Sequence, residues 1–386
     1  MQLLVQFAAA AALLAGCGGG DSPSDASGTS FAAGTISGFG SVIVNGVRFD
    51  ESNAQVSDDD GQAAEASALR LGMRVEIQGG PLSDDGNGPR AEAKAIRYGS
   101  ELVGPVSAVN AVAKSLVILG RTVVVLDTTV IDDRLVGGFA AISVGTVLEV
   151  HGTRDAATGT IAATRIEPAA ASDRFKLRGT VANLDTTAKT FMIGTTLVSY
   201  GGVTSVPANL ANDLTVRVRV RATPVAGAFV ATRIDARGPR VDDADEAEIE
   251  GSITAFTSIA SFSVNGIPVD ASQASFPKGT TGVVLGAQVE IRGTSGNGVV
   301  TASVVKVESQ SERHGKGFEL HGSITALDST AGTFVLRGVT VSYAAATVDF
   351  RKGTPAQLAV GVQLEVRGVL SADGTMLQAT RISFGD

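Results

Sequence analysis

A pattern that occurs five times constrains the fold of this chain more than any other sequence feature. Each copy opens with Gly-x-Ile or Gly-x-Val, and the opening glycines are Gly34, Gly104, Gly179, Gly251 and Gly322. Successive opening glycines are 70, 75, 72 and 71 residues apart. Because self-similarity at a nearly constant period is typical of repeated structural units, we expect five copies of one small fold.

Two further markers follow each opening glycine in the same order. The second has the form Val/Leu-Glu-Ile/Val-x-Gly, with its acidic residues at Glu76, Glu149, Glu290 and Glu365. Copy three has Val218-Arg219-Val220-Arg221-Ala222 in that place. The third marker, Ala-Thr-Arg-Ile, closes copies two, three and five at 163–166, 231–234 and 379–382, with looser versions at 93–96 and 303–307.

The periodicity within each copy is that of β-strands. Apolar and polar residues alternate in 73–78, Met-Arg-Val-Glu-Ile-Gln, which predicts a strand with one buried face. Val-Asn-Gly at 44–46 and again at 264–266 predicts tight hairpins, because Asn-Gly tolerates the positive φ angles of a type I′ turn. About five strands per copy follow: an opening strand, a hairpin pair, the Val-Glu-Ile strand and a closing strand.

Five short antiparallel strands per copy favour a small closed barrel of the OB type. We therefore predict an all-β protein, a tandem array of five small OB-like antiparallel β-barrels. Neighbouring units are expected to pack together, because about 65 ordered residues are near the lower limit for a domain that folds alone. The predicted bounds are 34–98 for unit 1, 102–167 for unit 2, 175–237 for unit 3, 248–308 for unit 4 and 318–384 for unit 5.

The N-terminal segment resembles that of a bacterial lipoprotein. Residues 3–14 are apolar except for Gln6, and Leu14-Ala15-Gly16-Cys17 resembles a lipobox around the chain's one cysteine. The resemblance implies a signal peptide over 1–16, a lipid on Cys17 and a flexible tether over 17–33. We expect attachment to the membrane of the bacterial cell envelope through this lipid, and Gly18 after the cysteine favours the outer membrane.

The repeat markers together resemble the bacterial family called domain of unknown function 5666. The resemblance covers nearly all of 34–384, and unit 3 matches least. It implies an exported repeat protein and no assigned reaction.

Composition excludes several function classes. The net charge of −8 argues against a nucleic-acid partner, because proteins that bind nucleic acid are usually basic. One cysteine permits no internal disulfide. We expect no cofactor, and an envelope protein or a glycan as partner. Phe39, Phe49, Phe262 and Phe334 lie at apolar hairpin positions and are interpreted as core residues instead of stacking platforms for a ligand.

Unit 3 carries the strongest charge anomaly. Residues 174–240 contain ten basic and three acidic residues. Arg217, Arg219 and Arg221 alternate with valines and should project from one face. They are a candidate site for phosphate, lipopolysaccharide or an acidic glycan. The alternative is internal neutralisation by the acidic residues that follow, namely Asp242, Asp243, Asp245, Glu246, Glu248 and Glu250.

Two acidic clusters raise the question of a calcium site. They are 58–61, Asp-Asp-Asp-Gly, and 84–88, Asp-Asp-Gly-Asn-Gly. Carboxylates with glycine can enclose Ca²⁺, but neither cluster has the full EF-hand pattern. Asp, Asn and Gly are also favoured in turns, so solvated loops are the simpler interpretation and we predict no metal site.

No residue set predicts catalysis. The histidines, His151, His314 and His321, lie in different contexts, and no nucleophile motif is present. The four recurrent glutamates are equivalent copies on an outward strand face, which favours cross-strand pairing with basic residues over acid–base chemistry. The leading hypothesis is a non-enzymatic binding or spacer array. The alternatives are anion recognition by unit 3 and, as a third possibility, an enzyme with a site between units.

Overall fold

A computed structural model describes residues 28–84, 86, 88–156, 158–170, 174–236, 238–309, 312 and 317–385. The chain is all-β, as predicted. Within these residues no helix is long and apolar enough to cross a membrane. The signal peptide and Cys17 predicted from sequence lie outside the described residues, as does His314.

The strands follow the repeat markers. Unit 1 contains β1 (Ser30–Phe39), β2 (Val42–Val44), β3 (Val47–Asp50), β4 (Gln55–Asp58), β5 (Ala63–Ala64), β6 (Arg74–Gly79), β7 (Ser83–Asp84) and β8 (Pro89–Tyr98). Unit 2 contains β9 (Leu102–Asn110), β10 (Ser115–Ile118), β11 (Arg121–Ile131), β12 (Val147–Arg154) and β13 (Ile161–Pro168). Unit 3 contains β14 (Arg174–Asp185), β15 (Thr190–Ile193), β16 (Thr196–Ser199), β17 (Thr215–Arg221) and β18 (Phe229–Asp235).

The last two units have the same plan. Unit 4 contains β19 (Ala244–Ser258), β20 (Ser261–Val264), β21 (Ile267–Asp270), β22 (Gln288–Gly296) and β23 (Val299–Val307). Unit 5 contains β24 (Phe318–Asp328), β25 (Thr333–Leu336), β26 (Val339–Ser342), β27 (Asp349–Arg351), β28 (Gln363–Leu370) and β29 (Leu377–Phe384). Short 3₁₀ helices occupy Ala66–Ala68, Gly138–Ala141 and Pro355–Gln357.

Strand pairing closes the sheet of each unit into a barrel. In unit 2 the circuit runs β9–β10–β11–β13–β12 and back to β9, with the β11–β13 pair parallel and the others antiparallel. The same circuit recurs in the other units. The inward side chains form the core, including Phe49, Phe262 and Phe334, which are at most 4% exposed. The prediction of small closed β-barrels is confirmed.

The marker glycines are required by close contacts within each barrel. A side chain at Gly251 would place its Cβ 1.8 Å from Nδ2 of Asn265, the residue that begins the tight hairpin turn. A side chain at Gly152 would place its Cβ 2.4 Å from the carbonyl oxygen of Ala162. The register of β12 against β13 shifts at Gly152, so this glycine lies in a β-bulge that bends the strand.

Strand register corrects the second marker in unit 3. The opening glycine of unit 2, Gly104, pairs with Leu148, and the opening glycine of unit 3, Gly179, pairs with Val216. The equivalent segment of unit 3 therefore begins at Val216, two residues before the Val218 start assigned from sequence. Arg217 thus occupies the position of the recurrent glutamate, as Glu149 does in unit 2. The alternating Val-Arg run matches either register by pattern alone, and only pairing with β14 selects one.

Strand β1 joins unit 1 to two units that are distant in sequence. Its first residues pair in parallel with β19 of unit 4, with Ala33 opposite Ile249. Its last residues, Gly38 and Phe39, pair in parallel with β24 of unit 5. The tether predicted for 17–33 is therefore too long, because Ser30–Phe39 is already strand and Phe31 is buried in the core of unit 4. Unit 4 likewise begins earlier than predicted, at Ala244.

Unit 2 contacts its neighbour and also a distant unit. Strand β9 pairs with β14, which joins units 2 and 3 as expected for neighbours. The amide of Ile131 donates to the carbonyl oxygen of Gly374 in unit 5 at 2.9 Å. The units therefore form a packed cluster, because the contacts of units 1 and 2 extend to units 4 and 5 as well as to adjacent ones.

Candidate functional site

Two clefts in the described structure lie between units. The main cleft, of about 690 Å³, opens where units 1, 2, 4 and 5 meet. Its neutral polar lining consists chiefly of Thr35, Asn45, Thr128, Thr153, Thr164 and Gln288. The volume is within the range of small-molecule sites, about 300–1,000 Å³.

A second cleft of about 680 Å³ lies between unit 1 and units 3 and 4. Its lining is strongly charged and includes Glu76, Arg97, Glu101, Arg178, Arg217 and Arg240. Arg74, on β6, lines both clefts, so it lies at the point where they adjoin.

The guanidinium of Arg74 has only neutral oxygens as direct partners among the described residues. One nitrogen donates to the carbonyl oxygen of Glu250 at 3.1 Å, and another donates to Oγ1 of Thr35 at 3.5 Å. Burial lowers the pKa of Arg74, although the charges of Glu250 and Glu101 act to raise it. An arginine stays protonated in proteins, so Arg74 contributes a positive charge to both clefts.

The other cations of the main cleft are neutralised by carboxylates. Arg48 contacts Glu319 across the interface of units 1 and 5. Arg292 lies 2.9 Å and Lys306 3.3 Å from carboxylate oxygens of Glu290. The Glu290–Lys306 pair joins the recurrent glutamate of β22 to a basic residue on the neighbouring strand β23, which is the predicted kind of cross-strand pairing.

The second cleft is also a network of ion pairs between units. Arg97 of unit 1 lies 2.7 Å from Asp242, and Arg178 of unit 3 lies 3.6 Å from Glu101. Burial raises the pKa of Glu76, and the nearby Arg178 charge opposes that rise. The Glu76 carboxylate accepts a hydrogen bond from the Arg240 amide at 3.1 Å. This recurrent glutamate, predicted on an outward strand face, is thus enclosed between units.

The arginine stripe of unit 3, Arg217, Arg219 and Arg221, forms ion pairs within the protein through Arg217 and Arg219. Arg217, Arg219 and Arg221 lie on one face of β17 as predicted, but only Arg221 is exposed. Arg217 lies 2.8 Å from Asp60 and 3.1 Å from Asp235, and Arg219 contacts Asp60. Internal neutralisation is therefore the interpretation that the geometry supports.

The partner of this stripe is not the acidic run that was expected from sequence. Asp242 pairs with Arg97 and Arg240, and Glu248 pairs with Arg292. The stripe instead meets the first acidic cluster, 58–61, which forms the loop between β4 and β5 of unit 1. Two features noted separately in the sequence thus form one interface.

The loop between β4 and β5 is occupied by protein cations. Lys176 lies 3.1 Å from an Asp59 oxygen, and Arg217 lies 3.4 Å from the other. Burial alone would raise the pKa of Asp59, but the charges of Lys176 and Arg217 lower it overall. In the second cluster, Oδ1 of Asp84 accepts hydrogen bonds from the amides of Gly86 and Gly88, as in a turn. Asp85 and Asn87 lie outside the described residues.

The two described histidines lie in unrelated places. His151 is buried, with its Nδ1 2.9 Å from the carbonyl oxygen of Gly99, and burial lowers its pKa. His321 lies 2.6 Å from Glu319, and Glu365 is close enough for the three to form a metal-sized group. Because Arg48 and Arg367 also contact Glu319, this group is better explained as an ion-pair network than as a cation site.

Stability at acid pH should depend on Glu319. Burial acts to raise the pKa of Glu319, but hydrogen bonds from His321 and Arg48 outweigh it and lower the pKa to about 2, from an ordinary 4.5. Its contribution to stability is thus present above about pH 4.5 and is lost as pH falls towards 2. We expect Glu319→Gln to reduce the fall in urea midpoint between pH 6 and pH 3. An unchanged fall would contradict this assignment, and Glu365→Gln is the control.

Sequence reasoning did not single out Arg74, although the repeats contain a signal. In every unit the opening glycine pairs with one residue of the second-marker strand, and Arg74 is the residue just before that partner in unit 1. The equivalent residues of the other units are Val147, Thr215, Gln288 and Gln363. Unit 1 alone has a charged residue at this position.

Comparison with known families agrees with the repeat architecture. Three segments match the family model described as Domain of unknown function (DUF5666), residues 103–167, 250–306 and 321–383. These lie in units 2, 4 and 5, so the match is narrower than the resemblance expected over 34–384. Unit 3 departs from the pattern at Arg217 and Val220, and unit 1 has the additional strands β5 and β7. No curated protein matches the chain.

Proposed function

We propose that this protein of tandem DUF5666 repeats is a non-enzymatic binding protein of the bacterial cell envelope, and that a polar ligand occupies its main cleft. The observation that carries the proposal is the main cleft itself. Four units contribute to it, and its lining combines hydroxyl and amide side chains with a cation that has no direct carboxylate partner among the described residues. A few polar groups that converge on a concave space are typical of ligand sites.

The packed arrangement supports binding over a spacer role. A spacer gains length when its units contact only their sequence neighbours, as in solenoids. Here β1 pairs with strands of units 4 and 5, which shortens the reach of the chain and creates the space between units. The proposal also includes attachment of this cluster to the outer membrane through lipid on Cys17.

The two alternative functions receive less support. Anion recognition by unit 3 would require free guanidinium groups, but Arg217 and Arg219 face Asp60 and leave only Arg221 of the stripe exposed. An enzyme between units would require a nucleophile or an acid–base pair at the cleft. The main cleft instead has carboxylates such as Glu290 and Glu319, each already held by cations.

A fluorescence experiment tests the proposed binding site. The chain has no tryptophan, so Asp127→Trp would place its one indole at the edge of the main cleft, where Asp127 is largely exposed. We expect a soluble oligosaccharide that binds the wild type either to shift this emission or to be excluded by the indole. Val112→Trp, on an exposed hairpin tip, is the matched control.

One outcome of this fluorescence experiment would contradict the proposed binding site. A ligand that binds the wild type and Asp127→Trp equally, with no change in emission, lies outside the cleft.

A fractionation experiment tests the proposed attachment to the envelope. Cys17→Ser should move the protein from the membrane fraction to the soluble fraction of lysed cells. Unchanged fractionation would remove the lipid anchor from the proposal.

A further inference from the structure

We propose that Arg74 is the anion-recognising residue of the main cleft and that the ligand is an acidic saccharide whose carboxylate binds this guanidinium. The inference rests on the proposed function of the cleft and names its ligand class. It differs from the arginine-stripe hypothesis in its residue, its unit and its position in the fold.

The first argument is the contrast between Arg74 and the other cleft cations. Arg48, Arg292 and Lys306 each contact a carboxylate. Among described residues Arg74 instead meets the Glu250 carbonyl oxygen and the Thr35 hydroxyl. A partly buried guanidinium without a carboxylate bonded directly to it is costly, and a carboxylate bound in two-pronged geometry would offset that cost.

The second argument concerns the charge that the cleft can accept. The charges of Glu250, Glu101 and Glu76 act on Arg74, and the single charge of Arg178 opposes them. These acidic groups disfavour a dianion such as phosphate, whereas a carboxylate carries one negative charge. A singly charged group therefore fits the electrostatics of this position better than a phosphate.

The third argument is the neutral lining around Arg74. Thr35 and Asn45 come from unit 1, Thr153 and Thr164 from unit 2, and Gln288 from unit 4. Hydroxyl and amide groups both donate and accept hydrogen bonds, which suits the many hydroxyl groups of a sugar. The apolar side chains of Phe318 and Leu370, also in the lining, can contact the C–H face of a sugar ring.

The test uses a charged ligand and its neutral twin. The probes are a trisaccharide of galacturonic acid and the same trisaccharide as its methyl ester, titrated calorimetrically into the full-length protein in detergent. We expect the acid to bind and the ester to bind at least about tenfold more weakly, since hydrogen bonds to charged groups are the stronger class. This comparison needs no variant, so it does not depend on whether a mutant folds.

Variants then assign the effect to one side chain. Arg74→Gln should weaken binding of the acid about tenfold or more and leave binding of the ester unchanged, whereas Arg74→Lys should give an intermediate loss. Arg351→Gln is the matched control, because Arg351 is 60% exposed, is paired with Asp349 and does not line the cleft. We expect it to change affinity by less than about threefold.

The outcomes separate this inference from the proposed function. Equal binding of acid and ester, with a shift in the indole emission of Asp127→Trp, would retain the cleft and overturn the role of Arg74. Binding of the acid without any effect of Asp127→Trp would overturn both. Three other results would each overturn the proposal that the ligand is an acidic saccharide. These results are no binding of either trisaccharide, competition by inorganic phosphate at equal concentration, and binding of trialanine but of neither trisaccharide.

Discussion

Replacing Arg217 by Glu should lower the free energy of unfolding by at least about 3 kcal/mol, because removing one partner of a buried ion pair leaves the other charges uncompensated. Glutamate is the residue that the other four units have at the equivalent position. Repeat consensus alone would therefore predict a neutral or stabilising change. In the structure Arg217 is buried beside Asp59, Asp60 and Asp235, so a glutamate would add a fourth negative charge.

Arg221→Glu is the control for this prediction. It makes the same change of charge four residues along β17, at an exposed position, and should alter stability by no more than about 0.5 kcal/mol. Urea unfolding followed by circular dichroism measures both variants. If Arg217→Glu were as stable as the wild type, the interface between the 58–61 loop and unit 3 would not be a determinant of the fold.

Replacing Phe31 by Ala should cost about 3–5 kcal/mol and loosen unit 1 from unit 4. The Phe31 side chain is 1% exposed and packs in the core of unit 4, although the residue belongs to β1 of unit 1. Its removal leaves a cavity and removes apolar area from the joint between the two units. The expected result is a lower urea midpoint together with faster proteolysis between units 3 and 4.

Val112→Ala is the control for Phe31→Ala, since Val112 is 98% exposed on a hairpin tip. It should leave both the urea midpoint and the digestion rate unchanged. A loss of less than about 1 kcal/mol in Phe31→Ala, below the usual range for a buried aromatic, would mean that residues 30–33 do not hold these units together. The tether predicted over 17–33 would then describe those residues better than the strand does.

The sequence showed the charged segments that meet between units 1 and 3, but it did not show that they meet each other. Arg217, Arg219 and the 58–61 cluster stood out by charge, but each suggested an external ligand or an unrelated partner. They neutralise each other across more than 150 positions of chain. Charge patterns give the sign of a surface, whereas the identity of the opposing surface depends on how the barrels dock.

The sequence by itself determined the barrel: the five copies, their strands, the hairpins and the glycines that permit close strand contact. These features follow from alternation and turn chemistry, which act over a few residues. Only the tertiary structure decided the register of β17, the partners of β1 and the position of Arg74 between two clefts. Pairing between remote strands depends on complementary surfaces of whole units, and no local periodicity encodes which surfaces meet.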